Sequence, residues 1–185
     1  MRAVALLLLA LTACARQAPA ASGTQADEAS LLRVDSAATR LATTLRGRLL
    51  QAMREGGPAA AAEVCARDAR GIAEQVRAET GIAVGRASLR TRSPANAPPG
   101  WVDAWLRAQG ERPALGVIGV RAVQQGHARV LRPIPVEGPC VTCHGDAATI
   151  PEGVRAVLAM RYPTDRATGY RVGDLRGALW AEVAR

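Results

Sequence analysis

The sequence predicts an α+β domain, an antiparallel sheet with helices on one side or end. Three observations carry that expectation. Apolar residues in the first half recur at three- and four-residue steps, the period of a helix face. The second half changes to short alternating runs divided by Gly and Pro, as strands and turns require. Two of those runs, Leu115 to Val123 and Ala128 to Val136, flank Gln124-Gln125-Gly126 and read as a β-hairpin. A length of 185 residues suits one such domain behind a leader.

The chain opens with Arg2 and an apolar run, Ala3 to Leu11, too short to span a bilayer as a helix but fit for a signal-peptide core. Leu11-Thr12-Ala13-Cys14 has the form of a bacterial lipobox, which makes residues 1–13 a lipoprotein signal peptide and Cys14 the lipidated first residue. Buried acyl methylenes would make that anchor stable. Ordinary secretion, with Cys14 inside the cleaved leader, is the plainer alternative. Residues 14–26 are small, polar and turn-rich, a flexible tether ahead of a domain at 27–185.

Leu31, Val34, Ala38, Leu41, Leu45 and Leu49 form one stripe on a helix from Asp27 to Arg54, a candidate seam for a homodimer. Gly56-Gly57 stops it, and Pro58 suits the first turn of a second helix reaching Glu79. That helix turns Ala62, Cys65, Ala69, Ile72 and Val76 inward. Ile82 to Thr91 reads as a strand, with Arg86, Ser88 and Arg90 on one face. A loop dense in breakers follows from Arg92 to Gly100, then a short helix from Trp101 to Gln109. Beyond the hairpin come a helix from Pro151 to Met160, a loop from Tyr162 to Tyr170, and a last strand through Leu175, Gly177, Leu179, Ala181 and Val183. No internal repeat is present.

The hairpin leads into Cys140-Val141-Thr142-Cys143-His144. Cys-x-x-Cys-His is the attachment pattern of a covalent c-type haem. Two thiols bond the vinyl groups, and the adjacent imidazole ligates the iron and helps set its potential. Gly145 suits a loop passing close to a flat ring. The alternatives are a thiol redox pair or half of a zinc site. A zinc site of the double-pair type needs a second ligand pair, which the sequence lacks. A redox pair usually opens a helix after a strand, whereas here Pro139 precedes the pair and Pro151 follows it. One covalent haem c is therefore expected, which implies export, since c-type haem is attached outside the bacterial cytoplasm.

Four cysteines less one for lipid and two for haem leave Cys65 unpaired. It is either a buried small hydrophobe, the usual place of a free Cys, or the second axial ligand. Met53, Met160 and His127 are the other ligand types available. Met53 reads as part of the first helix's apolar face, Met160 as packing a helix end, and His127 as an exposed residue beside the hairpin turn. Arg92 and Asn96, with Arg90 less favoured, are candidates for haem carboxylates, because Arg pairs well with them. Asp165, Arg166 and Asp174 read as loop scaffolding.

The formal net charge is +8, every basic residue is Arg, and the aromatics are three Trp and two Tyr with no Phe. A basic exported domain suits an anionic lipid surface or an acidic redox partner, and nucleic acid is not expected.

Four blocks resemble one known family. They are AAAAEVCARDARGIAEQ at 59–75, RASLRTRSPANAPPGWVDAWL at 86–106, CVTCHGD at 140–146 and RYPTDRATGYRVGDLRGALW at 161–180. The family comprises exported or membrane-tethered bacterial c-haem domains with a PAS-like fold, formerly a domain of unknown function, whose best-described type is a cyanobacterial cytochrome with His/Cys ligation. Ser93 stands where Asn is usual, and Asp103 lies near where Glu is usual. The resemblance implies a PAS-like sheet with flanking helices and a long N-terminal helix. It implies thioether bonds at Cys140 and Cys143, a proximal ligand at His144, and a distal ligand at Cys65.

The expected function is that of an exported, lipid-anchored c-type haem protein with His/Cys ligation. It would act as a redox or gas sensor, or as a low-potential electron-transfer cytochrome, and not as an enzyme. A peroxidase-like enzyme and an interaction lipoprotein with a structural haem are the alternatives. The expected location is the periplasmic side of a bacterial membrane, with Ala15 after the lipobox Cys pointing to the outer membrane. A separate redox or signalling protein is the expected partner.

Overall fold

The computed structural model describes residues 23–110 and 112–185. The expected signal peptide, Cys14 and most of the expected tether lie outside them. The element order is α1 (Gly23–Thr80), β1 (Ala83–Ala87), a 3-10 turn (Pro94–Asn96), α2 (Gly100–Gln109), β2 (Val120–Gln124), β3 (His127–Pro135), a second 3-10 turn (Gly138–Cys140), α3 (Val141–His144), α4 (Glu152–Arg161) and β4 (Leu175–Ala184). The four strands form one antiparallel sheet in the order β1-β4-β3-β2. This is the predicted α+β fold.

α1 is a helical hairpin, not one rod. A straight α-helix would hold Arg40 and Glu79 about 58 Å apart at 1.5 Å per residue, yet the two form an ion pair. Arg48 Nε likewise lies 2.9 Å from Asp68 Oδ2. The reversal falls at Gly57, whose φ of 70° and ψ of −165° are open in practice only to glycine. Pro58 follows where its fixed φ suits a helix start. The two helices expected on either side of Gly56-Gly57 are therefore present and antiparallel. The helix begins at Gly23, four residues inside the expected tether, and Glu28 in its second turn is held by Arg121 of β2 at 2.6 Å.

Leu31, Val34, Ala38 and Leu41 from the first half meet Val76 from the second and Val84, Ala128, Val130, Leu179 and Ala181 from the sheet. The opposite sheet face is also covered, so helices flank the sheet on both faces. There α2 packs Val102 and Leu106 on Ala87, Leu131 and Ala178, and Trp101 meets Trp180 edge to face at 6.4 Å. Cover on both faces leaves β3 buried without a break from Ala128 to Leu131, Arg129 included.

Two strands are shorter than predicted. β1 ends at Ala87 because Ser88 Oγ, buried at 6% exposure, bonds the carbonyls of Arg90 and Arg176 and turns the chain out of the sheet. Residues 115–119 do not pair with β3; Pro113 bridges Asp174, and Ala114 N–H donates to the Gly173 carbonyl at 2.8 Å. Among the described residues no helix is long and apolar enough to cross a membrane.

Candidate functional site

The cysteine–histidine pentapeptide lies where β3 leaves the sheet. It occupies a helical turn: Cys140 closes the 3-10 segment and Val141 to His144 form α3. The pair thus follows a strand and opens a helix after all, and that argument against a thiol redox pair falls. Gly145 ends the turn; its N–H donates to the Val141 carbonyl at 2.8 Å, and a Cβ there would stand 2.6 Å from that oxygen. Closure of the helix, then, is what requires the glycine. Cys65, Cys140 and Cys143 are all free thiols.

The loop between α4 and β4 is laid against this turn. Gly169 N–H donates to the Gly145 carbonyl at 2.6 Å and Tyr170 N–H to the His144 carbonyl at 2.9 Å. His144 Nδ1 lies 2.7 Å from the Ala167 carbonyl oxygen. Only a donating Nδ1–H satisfies a carbonyl, so the proton sits on Nδ1 and Nε2 keeps its lone pair. Burial, then the charges of Arg176 and Arg92, hold the ring's pKa at about 3. His144 is a neutral imidazole with one nitrogen tied down and the other open to a metal. The Tyr170 ring stands edge to face with it at 6.4 Å.

Arg92 is the brace of this arrangement. Its Nε donates to Asp165 Oδ2 at 2.9 Å, with the two side chains only 11% and 12% exposed. Its Nη2 donates to the carbonyls of Cys143 and Ala167. Asp165 Oδ1 accepts from Ala167 N–H at 2.7 Å, the scaffolding role its loop position suggested. One guanidinium therefore joins the breaker loop after β1, the turn bearing Cys143, and the carbonyl that fixes His144. Asn96 lies in the first 3-10 turn, half-buried, and its side chain makes no hydrogen bond among the described residues. Ser93 caps that turn by accepting from Ala95 N–H at 3.3 Å.

Cys65 reaches the same place from the second half of α1. Ala62, one turn before it, packs with Ile150, Val154, Leu158, Cys143 and Tyr162. Burial pushes the Cys65 thiol up, against the pull of Arg86 and Arg92. Cys143 and the Tyr162 phenol are raised by the same cause. Cys140 lies on the other side, with Val136, Ala167, Tyr170 and Val141. Beside them opens a cleft of about 380 Å³, lined by residues including Ile150, Leu158, Tyr162, Asp165 and Thr168.

The competing ligand types are elsewhere. His127 sits at the far end of β3, about 26 Å of strand from Pro135 at 3.3 Å per residue, and its Nδ1 meets the Gln125 carbonyl oxygen. Met160 is 74% exposed and does not pack a helix end as predicted. Met53 is half-buried on α1, before the reversal.

Arg90 and Arg176 are the residues the sequence undervalued. Arg90, the less favoured candidate for a carboxylate, is committed within the fold: its guanidinium stacks 4.2 Å from the Tyr170 centroid and donates to the carbonyls of Arg166 and Thr168. Arg176 Nη1 donates to Ser88 Oγ at 2.7 Å, and its guanidinium lies 5.1 Å from the same ring. No sequence signal marks Arg176, an Arg on an alternating strand.

A model of the Tll0287-like family matches residues 16–183. Among solved structures, the cyanobacterial heme-protein Tll0287 superposes with a TM-score of 0.60 at 22% identity, over 89% of this chain and 98% of that one. At that identity the likeness is one of fold. No curated protein matches the chain.

Proposed function

The chain belongs to the Tll0287-like family, and on that premise we propose that it is a c-type haem protein serving as a redox sensor or low-potential electron carrier. The observation that carries the reading is the tethered imidazole: Nδ1–H on the Ala167 carbonyl, Nε2 free. A carbonyl that accepts from the other ring nitrogen is the usual companion of a metal-bound His. The donor set fits the group: Cys140 and Cys143 for the thioethers, His144 and Cys65 for the iron. When bound, the haem supplies one-electron exchange at its iron.

The chain's own residues do the rest. The apolar residues around Cys143 and Cys140 leave the two attachment thiols half-buried, limiting the access of water to them. Arg92 keeps the ligand turn and the loop at 165–167 in one piece. Bound as a thiolate, Cys65 would add negative charge and favour the oxidised state, hence a low potential. With His144 and Cys65 both held to the iron, the group would serve electron exchange rather than peroxide turnover. A lipidated Cys14 would hold the domain at the periplasmic side of the membrane; Cys14→Ser is then expected to shift the chain to the soluble fraction.

The test is the absorption spectrum of the full chain, matured with covalent haem, for wild type and Cys65→Ala in both oxidation states. A low-spin ferric spectrum with a thiolate signature that the substitution abolishes is expected. A spectrum indifferent to Cys65 removes that ligand, and high-spin ferric iron would restore the peroxidase reading.

A further inference from the structure

Four guanidinium groups, those of Arg86, Arg90, Arg92 and Arg176, surround the ligand turn. Three are committed within the fold. Arg90 holds two loop carbonyls and the Tyr170 ring; Arg92 holds Asp165 and two more carbonyls; Arg176 holds Ser88 and the Arg90 carbonyl and lies over the same Tyr170 ring. Arg86 is different. Alternation along β1 puts Gly85 against Trp180 on the α2 face, so Arg86 and Val84 point to the face that α1 covers. Its cross-strand partner Leu179 belongs to that same core. It is half-buried, yet its side chain makes no hydrogen bond and no ion pair among the described residues.

The nearby acids are already taken, Asp165 by Arg92 and Asp68 by Arg48 and Arg67. β1 ends one residue beyond Arg86, and the chain runs on to Arg92 on the Cys143 carbonyl, so Arg86 stands at the end of the strand that leads to the ligand turn. A guanidinium withdrawn from water without a counter-charge is costly, and its planar fork matches a carboxylate. We propose that Arg86 receives a carboxylate of the bound ligand, a haem propionate, while Arg92 serves the fold. This assignment rests on the haem reading and adds a binding residue to it.

Resonance Raman spectra of the haem-loaded full chain test it, through the propionate bending band, which follows the hydrogen bonding of that group. Arg86→Gln is expected to shift the band, Arg86→Lys to shift it less, and exposed Arg33→Gln to leave it in place. A band unmoved in Arg86→Gln with normal haem content overturns the assignment alone. So does an unmoved band with loss of the thiolate signature, which would give Arg86 to Cys65. If Arg86→Gln fails to mature, Arg86→Lys decides by the same band. A wild-type chain that attaches no haem overturns the haem reading, and this assignment with it.

Discussion

At the scale of single residues, the ion pair of Arg92 and Asp165 is the most consequential contact beside the candidate ligands. Removing one partner of a buried pair leaves the other charge desolvated, at a cost of about 3 kcal/mol or more. Arg92→Ala should therefore lower the denaturation midpoint strongly, and Asp165→Asn, which keeps an acceptor for Ala167 N–H, should lower it less. Urea unfolding of the two variants measures the difference; equal losses would mean that the pair does not act as the brace. The sequence made Arg92 a candidate for the haem's carboxylates, but not its bonds to the Cys143 and Ala167 carbonyls. Those oxygens lie 51 and 75 residues away in the chain, beyond the reach of any local pattern.

At the scale of elements, the helical hairpin depends on one backbone conformation. Gly57→Ala puts a Cβ where φ is positive and ψ extended, at about 1–3 kcal/mol. Its thermal midpoint should fall while a conservative change elsewhere on the helix surface, such as Arg33→Lys, has little effect. The two halves are also joined by charge. Asp68 is held below its ordinary pKa of 3.8 by hydrogen bonds from Arg67 and then Arg48. A carboxyl with a depressed folded pKa stabilises above 3.8 and loses that contribution as the pH falls through the folded value. The stability gap between wild type and Asp68→Asn should thus be widest near neutrality, close at acid pH, and shrink with salt because the pair is accessible. Docking of α4 joins an accessible ion pair, Arg161 with Glu63, to apolar burial: Leu158, 6% exposed, packs with Ala62 and Val154. Leu158→Ala should cost about 2–5 kcal/mol and speed hydrogen exchange first in α4.

At the scale of the whole molecule, 24 basic residues against 16 acidic ones leave an excess of positive charge. Long-range steering scales with that excess and is screened over about 8 Å at physiological salt. Electron exchange of the haem-loaded chain with an anionic small-molecule donor should therefore fall about tenfold as salt is raised, and exchange with a neutral donor should not. An equal response to both donors would show that the net charge does not govern encounter.

What the sequence determined by itself is what adjacency determines. Helical period, breaker residues and turn chemistry are local, so the helices, the hairpin and the break at Gly56-Gly57 were legible, with errors at the ends of elements. Cys140, Cys143 and His144 were legible for the same reason, being joined in one pentapeptide. Tertiary structure alone decided which sheet face each Arg occupies, that α2 closes the second face, and that Ala167 lends its carbonyl to His144. Those outcomes depend on contacts between segments tens of residues apart, and a carbonyl has no side chain by which a sequence could announce it.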